Sequence, residues 1–250
     1  MPDPLLRIDN LTKRFGSLAA NDGLSLDIVA GEVHAVIGPN GAGKTTLISQ
    51  LFGELTPDAG AIIFAGKDIG ALTTAERVHI GLARSFQITE LLPDYTALDN
   101  VTLAVQARTG HSFHFWSNAR RDPALREAAM DALARVGLNR RAAIAVSEMS
   151  HGEQKQLELA IALATRPQLL LLDEPMAGLG ATECASTVAL LAGLKGATTI
   201  LLVEHDMDAV FALADRISVL ARGQRVATGS AEDIRNNEAV RRAYFGEGNL

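Results

Sequence analysis

The sequence is poor in cysteine and has no long uninterrupted hydrophobic stretch. Cys184 is the only cysteine among 250 residues, so an intrachain disulfide is excluded and a reducing compartment such as the cytosol is expected. The longest apolar runs fall far short of the roughly 20 residues that a membrane-spanning helix needs. The opening residues, MPDPLLRIDN, lack the basic patch and apolar run of a secretory signal. We therefore expect a chain that does not enter a membrane by itself.

Positive charge is also scarce. Lys and Arg number 23 against 29 Asp and Glu, which gives a net charge of −6 at pH 7. Because no excess of positive charge is available to neutralise phosphates, nucleic acid is not expected as a partner, and any phosphate site must be local. The composition, 48% hydrophobic and 21% charged, is that of a globular protein. A length of 250 residues predicts one domain, 1–250, that carries a subdomain.

Strand-like and helix-like segments alternate along the chain. Short continuous apolar runs, typical of strands buried on both faces of a sheet, are Val33–Ile37, Leu169–Leu172 and Ile200–Val203. Segments that alternate apolar and polar residues, as half-exposed strands do, are Leu5–Leu11 and Ser25–Ile28. Helical segments are expected over 44–52, 74–80, 154–165, 182–194 and 206–214. This alternation predicts an α/β fold with a largely parallel sheet.

The segment from residue 88 to about residue 150 has a different pattern. It shows helical periodicity, a helix start at Asp122-Pro123 and a helix stop at Gly137, but no strong strand. We interpret it as an α-helical subdomain inserted into the α/β core.

A glycine-rich segment follows one buried strand and precedes a helix. It fits the phosphate-loop pattern G-x-x-x-x-G-K-[ST] and consists of Gly38, Pro39, Asn40, Gly41, Ala42, Gly43, Lys44 and Thr45. The glycines let backbone N–H groups converge on phosphate oxygens, and the positive end of the following helix favours the anion. Lys44 is expected to reach the β- and γ-phosphates, and Thr45 to bind Mg²⁺. A glycine turn that merely caps a helix is the alternative.

Polar residues follow two other buried strands and a third, weaker one. Asp173 and Glu174 end the run LLLLDE, where Asp173 would hold Mg²⁺ and Glu174 could polarise the attacking water. His205 follows Ile200–Val203 and could donate to a γ-phosphate oxygen or to the water. Gln87 follows a short strand-like segment and could contact both Mg²⁺ and the insert. Taken singly, paired acids are often a solvated turn, and a lone histidine is usually structural.

A second candidate anion site lies at Ser150-His151-Gly152-Glu153. Ser150 and Glu153 form a capping-box pattern, and a capped helix start that contains glycine can bind an anion. Two phosphate-binding elements are hard to explain with one nucleotide, unless the second serves a neighbouring subunit. Without further information, a simple helix cap is the stronger interpretation.

These motifs together resemble the ATP-binding subunit of an ABC transporter. GPNGAGKTT, which extends to Thr46, corresponds to Walker A, and ARSFQ contains the Q-loop glutamine. SHGEQ resembles the ABC signature, LLLLDE resembles Walker B, and VEHDM resembles the switch-histidine loop. The segments GLARSFQITELLPDYTALDNV and ARGQRVATGSAEDIRNNEAVRRAYFGEG resemble ATPases of branched-chain amino acid importers.

The resemblance implies a P-loop NTPase core with an antiparallel β edge and an inserted α-helical subdomain. It implies binding of ATP and Mg²⁺ and hydrolysis of ATP, with Phe15 stacked on adenine and Ser150 and Gly152 contacting a nucleotide held by a second ATPase. That second ATPase, packed head to tail, would be the same chain or a homologous one. The other implied partners are membrane permease subunits and, indirectly, a substrate-binding protein. The implied location is the cytoplasmic face of the inner membrane, reached through the permease.

Two residues depart from the usual family pattern. His151 stands where the first glycine of SGG is usual, and Gly180 replaces the acid that commonly closes the D-loop.

Import of branched-chain amino acids or related small polar solutes is the function we expect. An exporter ATPase, a soluble non-transport ABC ATPase and a nucleotide-binding module without hydrolysis are the alternatives.

Overall fold

The computed structural model describes residues 3–85, 91–109 and 122–245, and it contains two β-sheets. The smaller sheet is antiparallel, with strand order β2-β1-β4-β5. Its strands are β1 (Leu6–Phe15), β2 (Leu18–Ile28), β4 (Ala59–Phe64) and β5 (Lys67–Asp68). Alternating residues of β1 and β2 are buried, which is the half-exposed pattern that the sequence predicts.

The larger sheet has the order β10-β9-β3-β8-β7-β6. Its strands are β3 (Val33–Ile37), β6 (Leu82–Arg84), β7 (Leu169–Asp173), β8 (Thr199–Val203), β9 (Arg216–Ala221) and β10 (Gln224–Gly229). All neighbouring strands are parallel except β9 and β10, which pair antiparallel. Every residue of β3, β7 and β8 is buried, which confirms that the continuous apolar runs are central strands.

Nine α-helices lie in the part of the chain that the structure describes. They are α1 (Lys44–Phe52), α2 (Thr74–His79), α3 (Ala97–Thr109), α4 (Pro123–Arg135), α5 (His151–Ala164), α6 (Ala181–Leu194), α7 (Met207–Leu213), α8 (Ala231–Arg235) and α9 (Glu238–Phe245). Each of the predicted helices is present. Helix α5 begins three residues earlier than its periodicity suggested, because Ser150 caps it. Across the described ranges, none of these helices combines the length and the apolar character that crossing a membrane requires.

Helices α3 and α4 form a layer that packs on α5 rather than on the small sheet. Leu98 and Val101 of α3, Leu125 of α4 and Leu157 of α5 belong to one buried cluster, which continues to β7 and β8. Asp122 caps α4, and its carboxylate accepts the N–H of Ala124 at 2.9 Å. The predicted fold class, a P-loop type α/β core with an antiparallel β portion and helical elements, is confirmed.

Helix α1 is held at its C-terminal end by a buried arginine. Arg77 of α2 is 1% exposed, and its guanidinium donates to the carbonyls of Gln50 and Leu51 at 2.6 and 2.8 Å. The same guanidinium donates to the carbonyls of Leu72 and Gly70. A cation at this position also complements the negative end of the helix dipole. Arg77 therefore joins α1, α2 and the turn before α2.

We expect Arg77→Met to lower the free energy of unfolding by about 3 kcal/mol, because four buried or partly buried carbonyl oxygens each lose a donor. Chemical denaturation followed by circular dichroism measures the change. The control is Arg225→Met, since Arg225 is exposed on β10 and its loss should cost no more than about 0.5 kcal/mol. Equal stability of the two variants would contradict the role of Arg77.

Candidate active site

The glycine-rich segment connects the end of β3 to the start of α1, and neighbouring backbone presses against it. A Cβ atom at Gly38 would lie 2.2 Å from the carbonyl oxygen of Leu220, and one at Gly43 would lie 2.0 Å from that of Ala20. Gly43 also has a φ of +98°, which favours glycine. Gly41 faces open space instead, since a Cβ atom there would have no heavy atom within 4 Å. The loop is therefore packed against neighbouring backbone at Gly38 and Gly43, and it has free space beside it at Gly41.

The N-terminus of α1 has the properties of an anion site. No side chain caps it, because Gly43 occupies the N-cap position. Its first backbone N–H groups and the positive end of its dipole are thus available to a phosphate. Thr45 is exposed in the first turn, and Thr46 is half-buried.

Lys44 is buried beneath the loop and close to two carboxylates. Its Nζ donates to the carbonyl oxygens of Gly38 at 2.7 Å and Pro39 at 3.2 Å. Burial lowers the pKa of the Lys44 ammonium, and the attraction of Glu174 and Asp173 opposes that shift. The phosphate loop and the end of β7 therefore belong to one electrostatic site.

Asp173 ends β7 and is 3% exposed. Its Oδ2 accepts from Nη2 of Arg84 at 3.2 Å, whereas its buried Oδ1 has no hydrogen-bond partner among the described residues. Burial raises the pKa of Asp173, and the charge of Arg84 acts against that rise. A buried carboxylate oxygen without a donor is the kind of ligand that a hard cation such as Mg²⁺ prefers, so Asp173 fits such an ion.

Glu174 follows β7 in an unusual backbone conformation. Its φ is +51°, in the left-handed region, and it precedes Pro175. Its N–H donates to the carbonyl of Val203 at 2.8 Å, which ties the end of β7 to the end of β8. The carboxylate is one-third exposed, so water and a ligand can reach it. Strained backbone that neighbouring bonds hold in place is common at functional sites.

His205 is brought to Glu174 by the loop after β8. Its Nδ1 lies 3.8 Å from Oε1 of Glu174 and 3.5 Å from Oε2 of Glu204, and its side chain is 65% exposed. Parallel pairing of β7 with β8, and of β8 with β3, places these residues and the phosphate loop at one edge of the sheet. The edge thus combines the glycine-rich loop and its lysine with two carboxylates and an imidazole.

Ser150 and Gly152 lie at the start of α5. Ser150 Oγ accepts the N–H of Glu153 at 3.2 Å, and Glu153 Oε2 accepts the N–H of Ser150 at 2.9 Å, so the predicted capping box is present. The bond from the Ser150 backbone lowers the pKa of Glu153. Ser150 is exposed, while Gly152 is buried against Glu183 of α6, whose Oε1 would lie 2.0 Å from a Cβ atom at Gly152.

Comparison with known proteins agrees with this arrangement. Residues 21–177 match the family model of ABC transporters, and residues 224–248 match that of branched-chain amino acid ATP-binding cassette transporters. The high-affinity branched-chain amino acid transport ATP-binding protein LivG of Salmonella typhimurium is 38% identical over 258 residues, which cover 99% of this chain and 100% of LivG. The chain belongs to the ABC transporter family. Members of this family hydrolyse ATP, and this chain is an ABC ATPase.

Solved ABC ATPase structures share the fold. One is the ADP conformation of an ATP-binding cassette of an ABC transporter, 31% identical, with a TM-score of 0.85 over 98% of this chain and 99% of that one. Another is a dimeric, post-hydrolysis cassette bound to ADP and Pi, 25% identical, with a TM-score of 0.77 over 90% of this chain and 98% of that one.

Two further residues predicted from the ABC resemblance have different outcomes. Phe15 ends β1 and is 49% exposed, with Nζ of Lys13 5.8 Å from its ring centroid, and its stacking on adenine stays a prediction. Gln87 lies outside the described residues, and its contribution to nucleotide or metal binding stays a prediction.

Two residues of this ABC ATPase were missed by the sequence reasoning. Arg84 is 8% exposed and pairs with both Asp173 and Glu54, so it holds the buried carboxylate in place. Glu204 is 1% exposed and lies beside His205. In each case the sequence contains a signal, namely a charged residue at the end of an apolar strand. A charged residue is seldom buried there unless it has a hydrogen-bonding or ionic partner.

We expect Glu174→Gly to be more stable than Glu174→Gln by about 1 kcal/mol, because glycine removes the cost of the left-handed backbone. The two variants are matched, since both lack the carboxylate. Thermal and chemical denaturation measure the difference. A glutamine variant as stable as the glycine variant would show that the backbone here is not strained.

Proposed function

We propose that this chain binds ATP with Mg²⁺, hydrolyses it, and thereby powers import of branched-chain amino acids or related small polar solutes through a membrane permease. The observation that carries the proposal is the convergence of the phosphate loop, Asp173, Glu174 and His205 at one sheet edge. The identity of the cargo is supported by the similarity to LivG. The full chain 1–250 would be one ABC ATPase domain, with 88–150 as its helical subdomain.

The phosphate loop and its neighbours would hold the nucleotide. Residues Gly38 to Thr46 would surround the phosphates, Lys44 would neutralise the β- and γ-phosphates, and Phe15 would stack on the adenine. Mg²⁺ would be held by Thr45, Asp173 and Gln87, and it supplies charge neutralisation on the phosphates when bound. Arg84 keeps the Asp173 carboxylate oriented, with the unpartnered Oδ1 left for the cation.

Glu174 and His205 would carry out the catalytic step. Of the two carboxylates Asp173 and Glu174, only that of Glu174 is reached by solvent. Glu174 is therefore suited to accept a proton from the attacking water. His205 would donate to a γ-phosphate oxygen from its exposed position and hold the water near Glu174. Attack of that water breaks the bond between the γ-phosphorus and the bridging oxygen, and ADP and phosphate leave.

We expect Glu174→Gln to retain ATP binding but to lower turnover by about 10²-fold or more, because it removes the base without changing side-chain size. Lys44→Ala should instead weaken ATP binding about tenfold or more, since a charge-assisted bond to phosphate is lost. Fluorescent nucleotide titration and phosphate release measure the two effects. The control is Glu232→Gln, an exposed change on α8 that should leave both values unaltered. Near-parental hydrolysis by Glu174→Gln would remove Glu174 from this role.

A complete site would contain two chains. The first turn of α5, with Ser150 and Gly152, would face the γ-phosphate on a second ATPase packed head to tail, which is a second copy or a homologous protein. The dimeric relative bound to ADP and Pi supports such an assembly. The permease would hold the pair at the cytoplasmic face of the inner membrane, and a substrate-binding protein would act through the permease.

We expect Ser150→Arg to block the rise in turnover that follows addition of the partner ATPase and permease, because a large cation would fill the shared site. Binding of ATP to the chain's own phosphate loop should persist. The control is Ser230→Arg, because Ser230 caps α8 with the same kind of capping box, away from this helix start. ATPase assays and sedimentation measure the outcome. Full activity at dilutions where only monomer sediments would contradict the two-chain site.

A further inference from the structure

The carboxylate of Glu204 connects the loops that follow two neighbouring strands. Glu204 comes directly after β8 and is 1% exposed. Its Oε1 accepts the N–H of Met176 at 3.0 Å, in the loop after β7. Its Oε2 accepts the N–H groups of His205 at 2.8 Å and Asp206 at 3.3 Å, in the loop after β8.

A buried carboxylate needs donors, because the charged form is strongly disfavoured away from water. Here backbone N–H groups supply them, and each oxygen takes its donors from a different loop. Neither a shorter carboxylate nor an amide reproduces this pattern. An aspartate does not extend as far, and one end of a glutamine carries N–H donors that would face other N–H donors.

The two loops carry the proposed base and the proposed switch histidine. Met176 is two residues after Glu174, and His205 is adjacent to Glu204. The backbone hydrogen bond from Glu174 to Val203 also joins the segment after β7 to the end of β8, as the bond from Met176 to Glu204 does. In this arrangement His205 Nδ1 lies 3.8 Å from Oε1 of Glu174.

We propose that Glu204 is a positioning residue for ATP hydrolysis, which sets the location of His205 relative to Glu174. This inference rests on the proposed roles of Glu174 and His205. Glu204 itself does not touch the nucleotide, since both of its oxygens are occupied by main-chain donors. Its Oε2 also lies 3.5 Å from Nδ1 of His205, so its effect on turnover passes through His205 and the loop that carries it.

The test compares Glu204→Gln and Glu204→Asp with the parent chain. Both variants should lower kcat by about tenfold or more, because small displacements of catalytic groups are costly. The KM for MgATP and the affinity for a fluorescent nucleotide should change less than about twofold, because the phosphate loop is untouched. Two variants are used so that one remains informative if the other fails to fold.

A double-mutant cycle with His205→Ala separates positioning from simple structural support. In the His205→Ala background, measured by single-turnover phosphate release, Glu204→Gln should cost less than about twofold in rate, because its target is gone. Thermal stability should fall by the same amount in both backgrounds. An equal further loss of rate in the His205→Ala background would overturn the inference.

The matched control is Glu32→Gln. Glu32 also accepts a backbone N–H, that of Val29 at 2.8 Å, but it lies before β3, at the opposite end of the strand from the phosphate loop. Its variant should lose stability without a selective fall in kcat. Unchanged kcat in Glu204→Gln or Glu204→Asp would overturn the inference, provided that Glu174→Gln and His205→Ala lose turnover. If those two variants retain turnover, the proposed function fails instead.

Discussion

Parallel pairing of buried strands is the constraint on which this site depends. Because β3, β8 and β7 run in the same direction and in adjacent positions, whatever follows each strand must emerge at one edge. The strands themselves are wholly buried, and the site takes its functional groups from Asp173, the last residue of β7, and from residues just after the strands. The phosphate loop, the acids and the histidine are therefore brought together by the pairing of the strands.

Charged side chains of opposite sign interact with one another at this edge of the sheet. Arg84 holds Asp173 by one oxygen and Glu54 on its other side, while Lys44 lies in the attraction of both strand-end acids. A cation bound at Asp173 would thus join an existing network of one arginine, one lysine and three carboxylates. Removal of Arg84 would leave the buried Asp173 carboxylate without its ion-pair partner, which makes this position sensitive to substitution.

Continuous apolar runs and loop motifs predicted the central strands, α1 and the residues at the strand ends, because both signals are local in sequence. Strands such as β4 and β9 were not predicted, since their pairing is decided by distant partners, β1 for one and β3 for the other. The same limit applies to Glu204. Its type was visible beside His205, but the contact with Met176 exists only once β7 and β8 are side by side.

Helix α1 is immobilised at both ends. Its N-terminal loop is pressed against the backbone at Ala20 and Leu220, and its C-terminal carbonyls are held by Arg77. Both ends of the helix are therefore tied to neighbouring backbone or to a buried side chain, which opposes a shift along its axis. In the proposed function, a helix held in this way would present its N-terminal N–H groups to the phosphates from a defined position.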